Sequence, residues 1–382
     1  MAVRLRGVVL RGRTLSEGEV AVSGDRVTAG GGGRVRRLPE GWTVCAGFVD
    51  VQVNGFGGAE VGDDPEALAT VAAALPAAGV TAFCPTLVTR GPAAYRRAAA
   101  ALAAAPVAAH AARPLGVHLE GPFLAAARRG VHDEDALRAP EPGEVDRLLD
   151  AFSPAIVTLA PELPGAMEAI RRITARGGIA AVGHTEADAA TGAAAIGAGA
   201  RLATHALNAM RGIESREPSA LIAFLTAPRT FVSLIADGVH VAPQVAAVLA
   251  RAAGRRLVLV SDAVAAAGAP PGGYALGTRQ VTSDGRRVLW EGRLAGSALG
   301  IDAGPAVLAS AGTGRAAALA AASEAPRRLL GLRAGLAPGG PADLVVLDEA
   351  MVPQLTLVGG RVAYVGPSPP FDVPDAGAPL AP

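Results

Sequence analysis

The sequence predicts an α/β fold: a (β/α)8 TIM barrel with a small β-sandwich domain formed by the N- and C-terminal segments. Three observations predict it. Eight short apolar runs rich in Val, Ile and Thr recur along the middle of the chain, each followed by a segment that reads as helix. Polar and ionisable residues fall repeatedly where those runs end, and both ends of the chain show short strand patterns separated by turns.

Length and composition agree with one large domain and a smaller one: 382 residues, 51% hydrophobic, formal net charge +1. The near-neutral charge offers no basic footprint for nucleic acid. The opening MAVRLRGVVLRGRT lacks the apolar core of a signal peptide, and no apolar segment is long enough to cross a membrane, so a cytoplasmic protein is expected. Cys45 and Cys84 lack paired spacing, which argues against a disulfide framework or a thiolate zinc site. There is no lysine; all 35 basic residues are arginine.

In chain order, residues 1–46 read as short strands and form the first part of the small β-domain, residues 47–333 the barrel, and residues 334–382 the second part of the small domain and a tail. The eight barrel strands lie in CAGFVDVQV, GVTAFCPTL, LGVHLEG, AIVTLAPE, GIAAVGHT, RLATHALNA, TFVSLIADGVH and RRLVLVSDA. Intervening segments such as DPEALATVAAALPAAG, EVDRLLDAF and GAMEAIRRITARG carry apolar residues at helical spacing and often end on Gly. Along FVDVQVN the side chains alternate, so Asp50, Gln52 and Asn54 share one face and the valines the other.

Catalytic groups of such barrels sit at the C-terminal ends of strands, and Glu120, His184, His205, His240 and Asp262 each close an apolar run. One histidine so placed is ordinarily a hydrogen-bonded core or loop residue. Several converging on one rim point to chemistry. Glu120, His184 and His205 form a ligand set suited to one catalytic metal with an open position, and Asp262 is positioned as a general base. Two plainer readings stay open: Asp262 as the N-cap of a helix in AVAAAG, and Glu120 within an EGP turn. His118, two residues from Glu120 on the same strand face, reads as packing or as support for the carboxylate. His110 reads as part of an Ala-rich helix.

The segments GFVDVQVNGFGG, PTLVT, HLEGPF, RRGVH, VTLAPE, GHTEA, THALNAM, REP, ADGVH, SDAVAAAG, GSALG and PADLVVLD resemble, over nearly the whole chain, the N-acetylglucosamine-6-phosphate deacetylase family of the amidohydrolase superfamily. HLEGP together with THxxNAM and REP carries most of that specificity. The resemblance implies hydrolysis of N-acetyl-D-glucosamine 6-phosphate to D-glucosamine 6-phosphate and acetate in amino-sugar catabolism. It implies Glu120, His184 and His205 as ligands of one divalent metal per chain, zinc first, with iron, cobalt or manganese as alternatives. Asp262 matches the catalytic aspartate, moving a proton from the attacking water to the departing amine, and His132 the histidine that polarises the acetyl carbonyl. Val131, His132, Asn208, Ala209, Arg216 and His240 match substrate contacts, with Arg216 reaching across the interface of a homodimer.

Most amidohydrolases end their first strand in His-x-His, holding one metal of a pair often bridged by a carboxylated lysine. Here Gln52 and Asn54 stand at those positions, a vestigial second metal site, and a chain without lysine cannot form that bridge. Ala46 and AVAAAG depart from prolines common in the family without touching the chemistry. Two alternatives remain at this point: an amidohydrolase acting on another N-acyl sugar or a cyclic amide, and a non-catalytic barrel that binds a sugar phosphate.

Overall fold

A computed structural model of the chain describes residues 2–30 and 33–380. Met1, Gly31, Gly32, Ala381 and Pro382, which the sequence assigns to the small domain, lie outside the described residues. The N-terminal segment forms β1 (Ala2–Arg11), β2 (Thr14–Ser23), β3 (Arg26–Thr28), β4 (Gly33–Arg37) and β5 (Thr43–Ala46). Eight strands follow: β6 (Phe48–Val53), β7 (Val80–Val88), β8 (His118–Glu120), β9 (Ile156–Leu159), β10 (Ile179–Val182), β11 (Leu202–Ala203), β12 (Phe231–Ile235) and β13 (Leu257–Val260). Each pairs in parallel with the next. The last returns to the first where Asp262 N donates to Gln52 O at 3.1 Å and Asn54 N to Ala263 O at 2.8 Å, closing the barrel.

Most of these strands read as largely apolar runs because they are covered on both sides, with polar groups such as Asp50 and Gln52 of β6 kept for the barrel interior. Every residue of β6 and β7 is buried, against the barrel interior on one face and the helices on the other. The helices are α1 (Pro65–Ala74), α2 (Pro92–Ala104), α3 (Pro142–Phe152), α4 (Ala166–Ala175), α5 (Ala189–Ala198), α6 (Ala220–Thr226), α7 (Pro243–Ala253), α8 (Ala303–Ser310) and α9 (Arg315–Leu329). Local chemistry sets several of their ends. Asp64 and Asp188 cap α1 and α5 through their carboxylates, and Pro occupies the first turn of α1, α2, α3 and α7. No helix among the described residues is long and apolar enough to cross a membrane.

Besides the two-residue strands Gly55–Phe56, Ala59–Glu60 and Arg113–Pro114, the strand–helix alternation has one large interruption. Between β13 and α8 the chain makes an antiparallel meander, β14 (Gly272–Leu276), β15 (Arg279–Ser283), β16 (Arg287–Trp290) and β17 (Arg293–Ser297), where the sequence suggests a helix. Its turns are written in the residues. Glu291 and Gly292 both adopt positive φ, 48° and 77°, as a two-residue type I′ hairpin requires, and Gly277 at 60° opens the loop between β14 and β15. His110 likewise lies in a turn after α2 rather than inside the helix.

The C-terminal strands β18 (Leu344–Leu347), β19 (Pro353–Val358) and β20 (Arg361–Val365) join the N-terminal ones in one sheet, ordered β20-β19-β18-β5-β1-β2-β3 with β4 on β1. Gly47 is the hinge between this sheet and the barrel: its N–H donates to Asp343 O at 3.1 Å, and its carbonyl accepts from the buried Arg327 at 2.8 Å. A Cβ there would collide with the side chain of Thr81, which is fully buried. Gly47→Ala is therefore expected to lower stability, measured by the urea midpoint, by about 1–3 kcal/mol, the usual cost of overpacking. Adding Thr81→Ala, which removes the two nearest atoms but leaves Cβ 2.7 Å away, should recover part of that loss, and a double variant no more stable than Gly47→Ala would mean that the Thr81 hydroxyl and methyl are not the obstacle.

Candidate active site

Glu120 ends β8, while His184, His205 and Asp262 each lie two residues beyond β10, β11 and β13. Those three take left-handed backbone conformations, with φ of 50°, 30° and 51°. Ala209 (48°) and Leu207 (74°) beside them do the same, so five of the eight positive-φ non-glycine residues described gather at this rim. Each costs about 1–3 kcal/mol and persists because the surrounding structure over-determines it. The conformation turns the chain sharply as it leaves the strand and delivers the side chain over the barrel mouth.

The result is a tight cluster of lone pairs. His205 Nε2 lies 2.9 Å and His184 Nε2 3.2 Å from Glu120 Oε1, and the two ring nitrogens are 3.1 Å apart. All three residues are buried, and a ligand atom from each lies within one small sphere. His184 Nδ1 donates to the carbonyl of Arg128 at 2.8 Å, which leaves the Nε2 lone pair of a neutral ring facing inward. Acceptors held this close repel one another unless a cation or a proton sits among them. Ligands about 2.0–2.1 Å from a tetrahedral zinc lie roughly 3.3 Å apart, so the spacing and the donor chemistry both fit a divalent ion. Burial alone would raise the Glu120 carboxyl, but with protons on the ring nitrogens in place of an ion the hydrogen bonds of His184 and His205 hold it well below the usual range.

The polar face of β6 has its partners here. Gln52 Nε2 donates to Glu120 Oε1 at 2.8 Å and to Asp262 Oδ1 at 3.1 Å, and Asn54 Nδ2 donates to the same Asp262 oxygen at 2.8 Å. The two amides hold the two carboxylates in place. Burial, then the charge of Glu120, pushes Asp262 up to about 7. Asp50, deeper on that face, accepts from the Ser261 and Gln52 backbone N–H groups. The segment after Asp262 is bridge and turn, so Asp262 caps no helix.

His132 hangs over the cluster, its Nε2 3.8 Å from Glu120 Oε2. Thr89 N–H donates to His132 Nδ1 at 3.2 Å, and burial followed by the nearby His184 lowers the ring to about 3. The imidazole is thus neutral and carries its proton on Nε2, pointing at the site. His118 does not touch Glu120. Its Nδ1 donates to Val51 O and its Nε2 accepts from Thr158, both at 2.8 Å, so it ties β8 to β6 and β9.

Above the cluster opens a cavity of about 280 Å3, lined by Asn54, Val131, His132, Asn208, Ala209, His240 and Asp262 among others. His240, five residues past β12, donates from Nδ1 to Asp237 at 2.7 Å and so leaves Nε2 for the cavity. Arg216 is exposed and does not line the cavity of its own chain. Sequence reasoning passed over the meander, whose Trp290, Arg293 and Leu294 form one wall; Asp284-Gly285 and Glu291-Gly292 were the available hairpin signals. It also gave no role to Thr89, which closes the PTLVT segment just beyond β7.

Known proteins share this architecture. The profile of the amidohydrolase family matches residues 43–363. The chain is 37% identical over 349 residues to the human N-acetylglucosamine-6-phosphate deacetylase, covering 86% of this chain and 85% of that protein. It is 34% identical to an N-acetylgalactosamine-6-phosphate deacetylase of Escherichia coli O157:H7, covering 84% and 87%. Among solved structures, a mutant of the Mycobacterium smegmatis N-acetyl-D-glucosamine-6-phosphate deacetylase in complex with N-acetyl-D-glucosamine-6-phosphate superposes with a TM-score of 0.88 at 36% identity, over 96% of this chain and 99% of that one. With a barrel of this closure, this rim and matches along most of its length, the chain belongs to the amidohydrolase family.

Proposed function

We propose that the protein hydrolyses N-acetyl-D-glucosamine 6-phosphate to D-glucosamine 6-phosphate and acetate, as a cytoplasmic enzyme of amino-sugar catabolism. The observation that carries this reading is the buried Glu120–His184–His205 cluster with Asp262 held opposite by Gln52 and Asn54, in a chain whose relatives are deacetylases of phosphorylated amino sugars. A non-catalytic barrel has no use for a carboxylate pressed beside a cluster of ligands. An amidohydrolase does.

Glu120, His184 and His205 would hold one divalent ion, zinc in our reading, with iron, cobalt or manganese compatible with the same donors. Such an ion, when bound, polarises an amide carbonyl and acidifies a water molecule. The chain's own residues do the rest. Asp262 takes the proton of the water that attacks the acetyl carbon and passes it to the nitrogen of the leaving amine. Gln52 and Asn54 keep its carboxylate aimed while it does so. His132 offers a hydrogen bond from Nε2–H to the carbonyl oxygen as negative charge develops there and keeps its proton. Val131, Asn208, Ala209 and His240 line the space for the sugar and its phosphate, and Arg216 serves the site of a partner subunit in a homodimer, its fork suited to phosphate.

Acetate release from N-acetylglucosamine 6-phosphate, assayed beside the N-acetylgalactosamine epimer, tests the reaction and its selectivity; no release from either would reject it. Elemental analysis should find one divalent ion per chain, lost in His184→Ala; two tightly held ions would mean that Gln52 and Asn54 take part in a second site. Asp262→Asn should keep the metal and lose roughly a hundred- to ten-thousandfold in turnover, whereas near-normal turnover would assign the proton to another group. Arg216→Ala should weaken the phosphorylated substrate by about 1.5–3 kcal/mol, roughly ten- to over a hundredfold, and leave unphosphorylated N-acetylglucosamine unchanged. Mixing Asp262→Asn with Arg216→Ala chains should restore activity, because a hybrid dimer has one site with both residues intact. No restoration would place Arg216 outside the neighbouring site.

A further inference from the structure

The opposite end of the barrel carries a second concave feature. A cavity of about 640 Å3 is lined by Arg201, Arg229, Arg255, Arg256 and Arg328, with Pro228, Phe231 and Ala253 as its apolar wall. Arg201 precedes β11, Phe231 begins β12, and Arg255 and Arg256 precede β13. In a parallel barrel these are the N-terminal ends of strands whose C-terminal ends lead to His205, His240 and Asp262. Cavity and active site therefore lie at opposite ends.

Five guanidinium groups meet here without a carboxylate among the lining residues. The segments that supply the cavity are free of acid over long stretches: residues 189–213, 218–236, 238–260 and 325–342 contain no Asp or Glu. The chain as a whole is nearly neutral at +1, so the charge is segregated rather than general. Arg256 is built into the wall, donating to the carbonyls of Phe224 at 2.9 Å and Leu225 at 2.6 Å near the end of α6, and to Thr230 O at 3.3 Å. Arg328 donates to the carbonyl of Arg255. Backbone carbonyls orient these groups but leave their charge uncompensated. Burial lowers the pKa of Arg256, and burial with the nearby Arg255 lowers that of Arg328. Glu324, which also faces Arg327, is the carboxylate that acts on Arg328. Arg201, Arg229 and Arg255 are exposed, and no described residue hydrogen-bonds or ion-pairs with their guanidinium groups.

We propose that this cavity is a binding site for a phosphate-bearing polyanion, of the diphosphate class, separate from the active site. Three unpaired forks beside two anchored ones offer more donors than a single phosphate accepts, and paired N–H groups match phosphate oxygens two at a time. The volume falls within the usual range for small-molecule sites. Binding here is independent of the reaction at the other rim.

The test is calorimetric titration of the metal-loaded protein with inorganic pyrophosphate and, separately, orthophosphate. Saturable binding of one pyrophosphate per chain is expected, at least about tenfold tighter than orthophosphate and not displaced by glucosamine 6-phosphate. Arg201→Gln/Arg255→Gln, at two exposed and unpartnered positions, should weaken it at least about tenfold while leaving the melting temperature unchanged; Arg286→Gln, on the meander, should not weaken it. Absence of saturable binding, equal affinity for the two anions, an unaffected double variant, or displacement by glucosamine 6-phosphate would each overturn the proposal.

Discussion

The hydrogen bonds that join the first barrel strand to the last, from Asp262 N to Gln52 O and from Asn54 N to Ala263 O, do more than close a cylinder. They set Asp262 beside the two amides that hold its carboxylate, and one of those amides reaches on to Glu120. Slipping that register by one residue would turn the amides away from the mouth and bring valines into it. The left-handed residues at the rim depend on the same closure, because only a barrel that cannot open will hold several strained turns side by side.

Protons and charge are sorted within this frame. Acceptors crowd the middle of the site, and the groups around it are donors whose direction is set by backbone partners: Arg128 O fixes His184, and Thr89 N–H fixes His132. His118 shows the alternative fate of a buried histidine. Both of its nitrogens are spent on neighbouring strands, so it stiffens the barrel and has nothing left for a ligand.

Much of this was legible from residues alone, and the reasons are physical. The eight strands announced themselves because burial on both faces demands mostly apolar runs, even where one face carries Asp50 and Gln52. The candidate ligands Glu120, His184 and His205 stood out because an ionisable side chain closing such a run is costly to bury unless it meets a partner or an ion. What escaped depends on contacts distant in sequence. Thr89 looks like any loop threonine until His132 is beside it, 43 residues on. The meander was hidden by expectation, since seven strand–helix repeats invite an eighth, although Glu291-Gly292 is a strong turn signal. His240 closes an apolar run in the sequence but sits five residues past its strand, held there by Asp237.

The sheet formed by the two ends of the chain sets an order on events at the ribosome. β5 pairs with β18 from Ala46–Leu344 to Thr43–Leu347, so its partner is made nearly 300 residues after it. At roughly 5–20 residues per second, the N-terminal strands wait about 15–60 s with that edge unpaired. An exposed, largely apolar edge of this kind templates association with other chains. During synthesis, then, the edge of β5 stays unpaired longest, and the free edge of β6 is covered earlier, when Asp262 and Ala263 reach Gln52 and Asn54.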